Sequence, residues 1–243
     1  MLLEIIMNKA FFVTAMIAAS SQTACATDIQ SAINSSKTPA FDITSAAATT
    51  DGRLTTFVMD VAGVAGSVKP EPIGSLAGAK VESYVWPTSL DPSKVGFDAG
   101  SGILALAITA HPDFDDTPLF DENQDGDPAN DGKDWHSHWV VLTKTDNCSG
   151  GLKVRDVSPG VDLLPDTAPL LPIALDSPGM TPLLSGKTAK ITVPLSESEN
   201  VSFDAVTAEL QVNAAGKAPL LCVTGVHDVA SGDLSLPGKV KAN

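Results

Sequence analysis

Three of the chain's four histidines, His111, His136 and His138, fall within one stretch, His111 to Trp139. The same stretch holds eight aspartates, Glu122 and a single base, Lys133, a formal charge of −8 out of −14 for all 243 residues. Imidazole nitrogen is a good donor for zinc or copper, and carboxylate oxygen for calcium, so the chemistry to expect here is metal binding. In a strand, residues i and i+2 share a face about 6.7 Å apart along the chain. His136 and His138 therefore point the same way, while Trp135, Ser137 and Trp139 face apolar packing. His111 ends the preceding apolar run. If the two runs pair across the acidic segment, His111 comes beside His136, with Asp113 and Asp134 near. The expected nitrogen site is His111, His136 and His138 with Asp134, for zinc or copper. His227 is left as either unrelated or a fourth ligand.

Within the stretch, Asp121-Glu122-Asn123-Gln124-Asp125-Gly126 fits D-x-[DN]-x-[DN]-G. It resembles the first half of an EF-hand-type calcium loop, as also seen in dockerin and thrombospondin-type calcium loops. The resemblance implies side-chain oxygens from Asp121, Asn123 and Asp125 and a backbone carbonyl from Asp127. It fails at the twelfth position, where a bidentate glutamate belongs and Gly132 stands. The missing oxygens are left to Asp131 first, with Asp134, Asp115 and Asp116 as alternatives. The H-x-H itself is similar to the ligand pair of cupins and α-type carbonic anhydrases, although nothing else matches either family.

Two other functions use the same residues. A metal-dependent hydrolase or hydratase would keep one metal position for water and use an aspartate as base. A haem module is the third reading, because Thr49 to Val61 loosely resembles the first hairpin of DOMON-type sandwiches. That resemblance implies Met59 as an axial ligand, with His111 or His136 opposite. Nucleophilic catalysis finds no G-x-S-x-G, and no glycine-rich phosphate loop is present. A pI near 4.4 repels nucleic acid and anionic membranes, so cations are the natural partners.

The elements that must position these residues read as strands. Phe41 to Ala46 and Leu54 to Val61 form a hairpin around Asp51-Gly52. Ala79–Trp86, Ile103–Ala110, Trp135–Lys144, Ala189–Leu195, Val201–Val212 and Pro219–Val226 follow. No stretch keeps a capped period of 3.6. Ser158 to Leu184 carries six prolines among leucines, which excludes helix and central strand and reads as an extended excursion along a sheet surface. The expected fold is all-β, a single antiparallel β-sandwich with a long acidic loop, and Trp139, Val141 and Ile103 in its core.

Residues 1–26 read as a secretory signal peptide, with a basic start at Met7-Asn8-Lys9, an apolar run from Ala10 to Ala19 and Ala24-Cys25-Ala26 as the cleavage site. The apolar run is too short to span a membrane. Residues 27–243 would be the β-sandwich domain, periplasmic or secreted. Cys25 also admits a lipoprotein reading, against which Gln22 stands where an aliphatic residue belongs. Cleavage after Ala26 leaves Cys148 and Cys222, an even pair expected to form a disulfide in an oxidising compartment.

Overall fold

A computed structural model describes residues 28–158, 160–167 and 169–243. The signal-peptide and Cys25 readings lie outside the described residues. In chain order the first strands are β1 (Ile29–Gln30), β2 (Ile43–Thr50), β3 (Leu54–Val61), β4 (Lys80–Pro87) and β5 (Ile103–Ala110). Then come β6 (His136–Lys144), β7 (Leu152–Val154), β8 (Leu175–Asp176), β9 (Leu183–Ser185) and β10 (Thr188–Pro194). The last are β11 (Ser202–Phe203), β12 (Val206–Val212), β13 (Leu221–Val229), β14 (Gly238–Lys239) and β15 (Lys241–Ala242). Two short 3-10 turns, Pro92–Val95 and Asp131–Lys133, are the helical content among the described residues. None of the described helices is long and apolar enough to cross a membrane.

The chain is all-β with largely antiparallel sheets. One sheet runs β1-β2-β3-β10-β9, with β15 added parallel to β2. A second runs β5-β4-β12-β13-β7-β6, with β8 added on β6, and closes on itself, because β6 also pairs β5, from Ile103↔Leu142 to Thr109↔His136; β11 and β14 form a small third sheet. The expected layering is present, and one layer is in addition a six-stranded barrel.

Closure explains the composition of the barrel strands. An open sheet with one wet face alternates apolar and polar residues, as β3 does with Thr55, Phe57, Met59 and Val61 buried between half-exposed neighbours. Strands β4, β5 and β6 are buried on both faces. Their outer residues, among them Trp86, Leu106, Trp139 and Val141, pack against Phe57, Met59 and Ile191 of the first sheet. Their inner residues, among them Val85, Ala107 and Val140, fill the barrel with Leu210 and Val223. Fully burying one large apolar side chain contributes about 1.5–3 kcal/mol, so this doubly buried wall is the main source of stability. Tyr84 is buried with its polar end satisfied: its hydroxyl donates to Ala40 O at 2.9 Å and accepts from Gly66 N at 2.8 Å.

Three expectations need correction. Ile103 is 37% exposed, because it opens β5 at the rim of the barrel and not in its interior. The strand expected over Val201–Val212 breaks into β11 and β12 where the Asp204 carboxylate accepts from Ala205 N and Ser231 N. The first hairpin strand runs Ile43–Thr50, four residues beyond its expected end. The proline-rich excursion is extended, and it touches both layers: β8 pairs β6, and β9 pairs β10.

A disulfide joins Cys148 to Cys222, with Cα atoms 5.4 Å apart and a sequence separation of 74. It ties the β6–β7 turn to β13, near the single residue pair, Cys222↔Lys153, that links β13 to β7. In the chain-entropy model a loop of that length is worth about 4 kcal/mol. The double variant Cys148→Ser/Cys222→Ser should lower the urea midpoint accordingly; an unchanged midpoint would remove the disulfide from the list of stabilising elements.

Asp176 in β8 is 5% exposed, and Thr167 donates its hydroxyl to it. Burial pushes its carboxyl from 3.8 up to about 6, opposed by the Ser177 N–H. Below the lower value the group is neutral in folded and unfolded chains alike. As pH rises through the higher one, the unfolded chain has ionised more readily and the fold has lost on the order of 2 kcal/mol. Asp176→Asn should therefore raise Tm at pH 7 and leave it nearly unchanged at pH 3.5. Equal gains at both pH values would show that the carboxyl is not strained by burial.

Candidate metal centre

The β5–β6 pairing sets the histidines. Thr109 lies opposite His136 and Ala107 opposite His138, so both rings project from one face at one end of the barrel. Trp135 fixes the approach to β6: its indole N–H donates to Gly66 O at 3.0 Å and its ring lies 5.1 Å from that of Tyr84. His111 is the first residue after β5. Its N–H donates to Gly132 O at 2.6 Å, which folds the Asp131–Lys133 turn back onto the strand end.

Gly132 could not be another residue without rearrangement. A Cβ there would lie 1.7 Å from Phe114 O and 2.8 Å from His111 O. The departure from the calcium-loop pattern thus has a local cause: where that pattern puts a glutamate, this chain packs backbone against backbone to hold His111.

Four side chains converge: His111, Asp116, His136 and His138, with one ligand atom from each, all within 4.8 Å of one another. His111 Nε2 lies 2.9 Å from His136 Nε2. Asp116 Oδ1 is 3.2 Å from His111 Nε2, 3.1 Å from His136 Nε2 and 3.4 Å from His138 Nε2. Tetrahedral zinc with bonds of about 2.0–2.1 Å separates its ligand atoms by about 3.3 Å, and these four spacings lie near that value. The histidines are 1% exposed and Asp116 4%.

The hydrogen bonds behind the rings assign the protons. His111 Nδ1 lies 2.9 Å from Phe114 O and His136 Nδ1 2.7 Å from Asp134 O. A carbonyl only accepts, so both Nδ1 atoms carry hydrogen. His138 Nδ1 is 3.1 Å from Ser177 Oγ, whose own proton goes to Asp116 O at 3.0 Å. The serine must therefore accept from the ring. Three neutral imidazoles then turn bare Nε2 lone pairs on one carboxylate oxygen. Such outer partners fix the tautomer and orientation of metal-binding histidines.

The pKa shifts describe the metal-free cluster when a ring takes a second proton, on Nε2. Burial alone would raise Asp116, but in that state the charge on His111 and His138 and the hydrogen bonds given by the Nε2–H groups of His111 and His136 hold it well below the usual carboxylate range. Burial also depresses His136, yet its hydrogen bond to Asp116 and that group's charge prevail and lift it. For His138 burial wins, with His136 and His111 adding to it, and the ring is pushed down.

Of the residues expected from sequence, His111, His136 and His138 come together. Asp134 contributes its backbone carbonyl behind His136, while its carboxylate lies 3.4 Å from Lys69. The carboxylate in the cluster is that of Asp116. Asp113 instead accepts from Ile73 N and Gly74 N. His227 sits elsewhere, 2.8 Å from Glu82 and stacked on Phe41. Met59 is in the inter-sheet core, on the other face of the barrel wall.

In the acidic loop, Asp121 accepts from Asp125 N and Gly126 N, Asn123 from the same Asp125 N, and Asp125 from Asp127 N. Asp127 accepts from Ala129 N. Asp131 is fully buried and accepts from Glu122 N. Among the described residues, the histidine cluster is the one place where three or more His, Cys, Asp or Glu side chains converge closely enough to share a metal ion. Ser177 escaped sequence reasoning, and Asp116 entered it only as an alternative oxygen for the calcium-like loop, not as a partner of the histidines. Nothing in spacing distinguishes Asp116 from seven other aspartates, and Ser177 lies in the proline-rich excursion. No protein-family model matches the chain, and neither a curated protein nor a solved structure matches it.

Proposed function

We propose that this protein binds one transition-metal ion, zinc(II) or copper(II), at His111, Asp116, His136 and His138. One observation carries the reading: all three Nδ1 protons are committed to fixed acceptors, so three Nε2 lone pairs and a carboxylate oxygen meet at one buried point. Lone pairs so arranged repel unless a cation lies between them. Imidazole-rich donor sets suit zinc and copper and are poor for calcium or magnesium.

Four protein donors complete a tetrahedron. That favours a bound ion held in place over the open, water-bearing position that a hydrolase needs. Haem finds no axial pair here, since Met59 and the histidines lie on opposite faces of the same wall. The intramolecular disulfide points to a non-cytoplasmic location, and a periplasmic or secreted metal-binding protein is the reading that joins the two features.

Chelator-stripped protein should take up one equivalent of zinc by calorimetry. Free zinc at one hundred times its Kd would add about 2.7 kcal/mol, a Tm rise of roughly 5–10 °C for a chain of this size. Asp116→Ala and His138→Ala should each weaken binding at least a hundredfold, while Asp134→Ala leaves it nearly intact. Failure of zinc and copper to bind the wild type at millimolar concentration would overturn the reading.

Gly132→Ala removes no donor, yet it must displace the carbonyl that orients His111. Zinc affinity should fall about ten- to a hundredfold, the usual effect of disturbing an outer partner. An unchanged Kd would show that this carbonyl does not set the ring.

A further inference from the structure

The barrel is not filled to its end. Its inward face leaves a cavity of about 130 Å³, and His111, Asp116 and His138 form part of the lining. The rest is almost entirely aliphatic, with Val85, Val140, Leu210 and Val223 among the walls. Polar groups are few. Ser83 is committed, its hydroxyl donating to Ala208 O at 2.7 Å. His138 Nε2 is not: it is buried and makes no hydrogen bond. An apolar space of about 150 Å³ stays dry and admits benzene. This cavity is therefore of single-ring size, dry along its length and polar at one end.

We propose that the cavity takes one small organic molecule with an apolar body of single-ring size and one anionic oxygen, a carboxylate or phenolate. The body lies along the barrel and the oxygen reaches the metal ion; the proposal rests on the metal reading above. Charge selects the head group. A divalent ion with three neutral imidazoles and one aspartate keeps a net charge of +1 in a site shielded from water, which a single anionic oxygen neutralises. Zinc can expand to five ligands, so no protein donor has to leave. Shape selects the body, because away from the histidine end the walls are aliphatic and the two lining hydroxyls, Ser83 and Thr109, already face Ala208 O and His136 Nε2. Entry is from the opposite end of the barrel. There Ile103 and Leu234, each 37% exposed, line the cavity. Leu234 follows β13 in a turn that holds both it and Leu236 at positive φ, 58° and 55°.

The test uses full-length protein loaded with cobalt(II), whose visible spectrum reports its coordination, with benzoate, toluene and acetate as probes. Benzoate should change the spectrum with one equivalent bound per cobalt. Toluene should leave the spectrum alone and compete with benzoate. Acetate, which has the head without the body, should bind at least tenfold more weakly. Val85→Phe and Val223→Phe fill the barrel away from the histidines, and two variants guard against one that misfolds. Each should weaken benzoate at least tenfold with cobalt stoichiometry unchanged. Cobalt bound one to one with a spectrum indifferent to millimolar benzoate would overturn the cavity proposal and leave the metal reading standing. So would acetate equal to benzoate, or full benzoate affinity in both filled variants. A protein that takes up no cobalt would overturn both.

Discussion

The pairing of β5 with β6 is the constraint on which the rest depends. Those two strands are consecutive, yet their ladder from Ile103↔Leu142 to Thr109↔His136 is what turns an open sheet into a barrel. It covers one edge of each strand; β4 takes the other edge of β5, and β7 and β8 share that of β6, so the acidic segment leaves the sheet as a loop. The same ladder puts His111 and His136 at adjacent strand ends. A one-residue slip would turn His136 and His138 to the outer face and Trp139 to the inner one. Register, core packing and the metal centre are thus a single choice, held by Trp139 and Val141 in the core between the layers.

The centre stores an electrostatic imbalance. Asp116 is buried beside three rings, and a buried carboxylate without a compensating charge is costly. Partial protonation can relieve it, which is the state toward which the raised His136 points. A metal ion relieves it more completely, because it satisfies all four donors at once. The protein has spent its outer hydrogen bonds, from Phe114, Asp134 and Ser177, on keeping the Nε2 atoms aimed inward.

Much of the framework was legible from the chain. The strand over Leu54–Val61, the H-x-H register and the position of His111 at the end of ILALAITA each have a local physical cause, and each appears where that cause puts it. Barrel closure was not legible, because a strand buried on both faces reads the same in a closed barrel as between helices or sheets. The carboxylate was not legible either. Asp116 is chosen by the turn after β5, in which Asp115 accepts from Thr117 N and from Asp131 N. That turn depends on Gly132, and spacing alone does not reveal it. The calcium-like motif drew attention to the right loop through its charge, and its carboxylates accept backbone N–H groups in the turns of that loop.

The proline-rich excursion has a consequence for the order of assembly. It lays β8 against the barrel, β9 against the other sheet, and Ser177 between them behind His138. His138 and Ser177 are 39 residues apart, so their contact exists only once the loop between β6 and β8 has closed. His136 and His138 can meet as soon as β6 exists, and His111 as soon as β5 joins it. The last ring is set only when the excursion has docked on both layers. On the metal reading, a half-assembled chain would offer a loose two- or three-nitrogen chelate and only the finished molecule all four oriented donors, so that metal capture would act as a seal on completed folding and not as its nucleus.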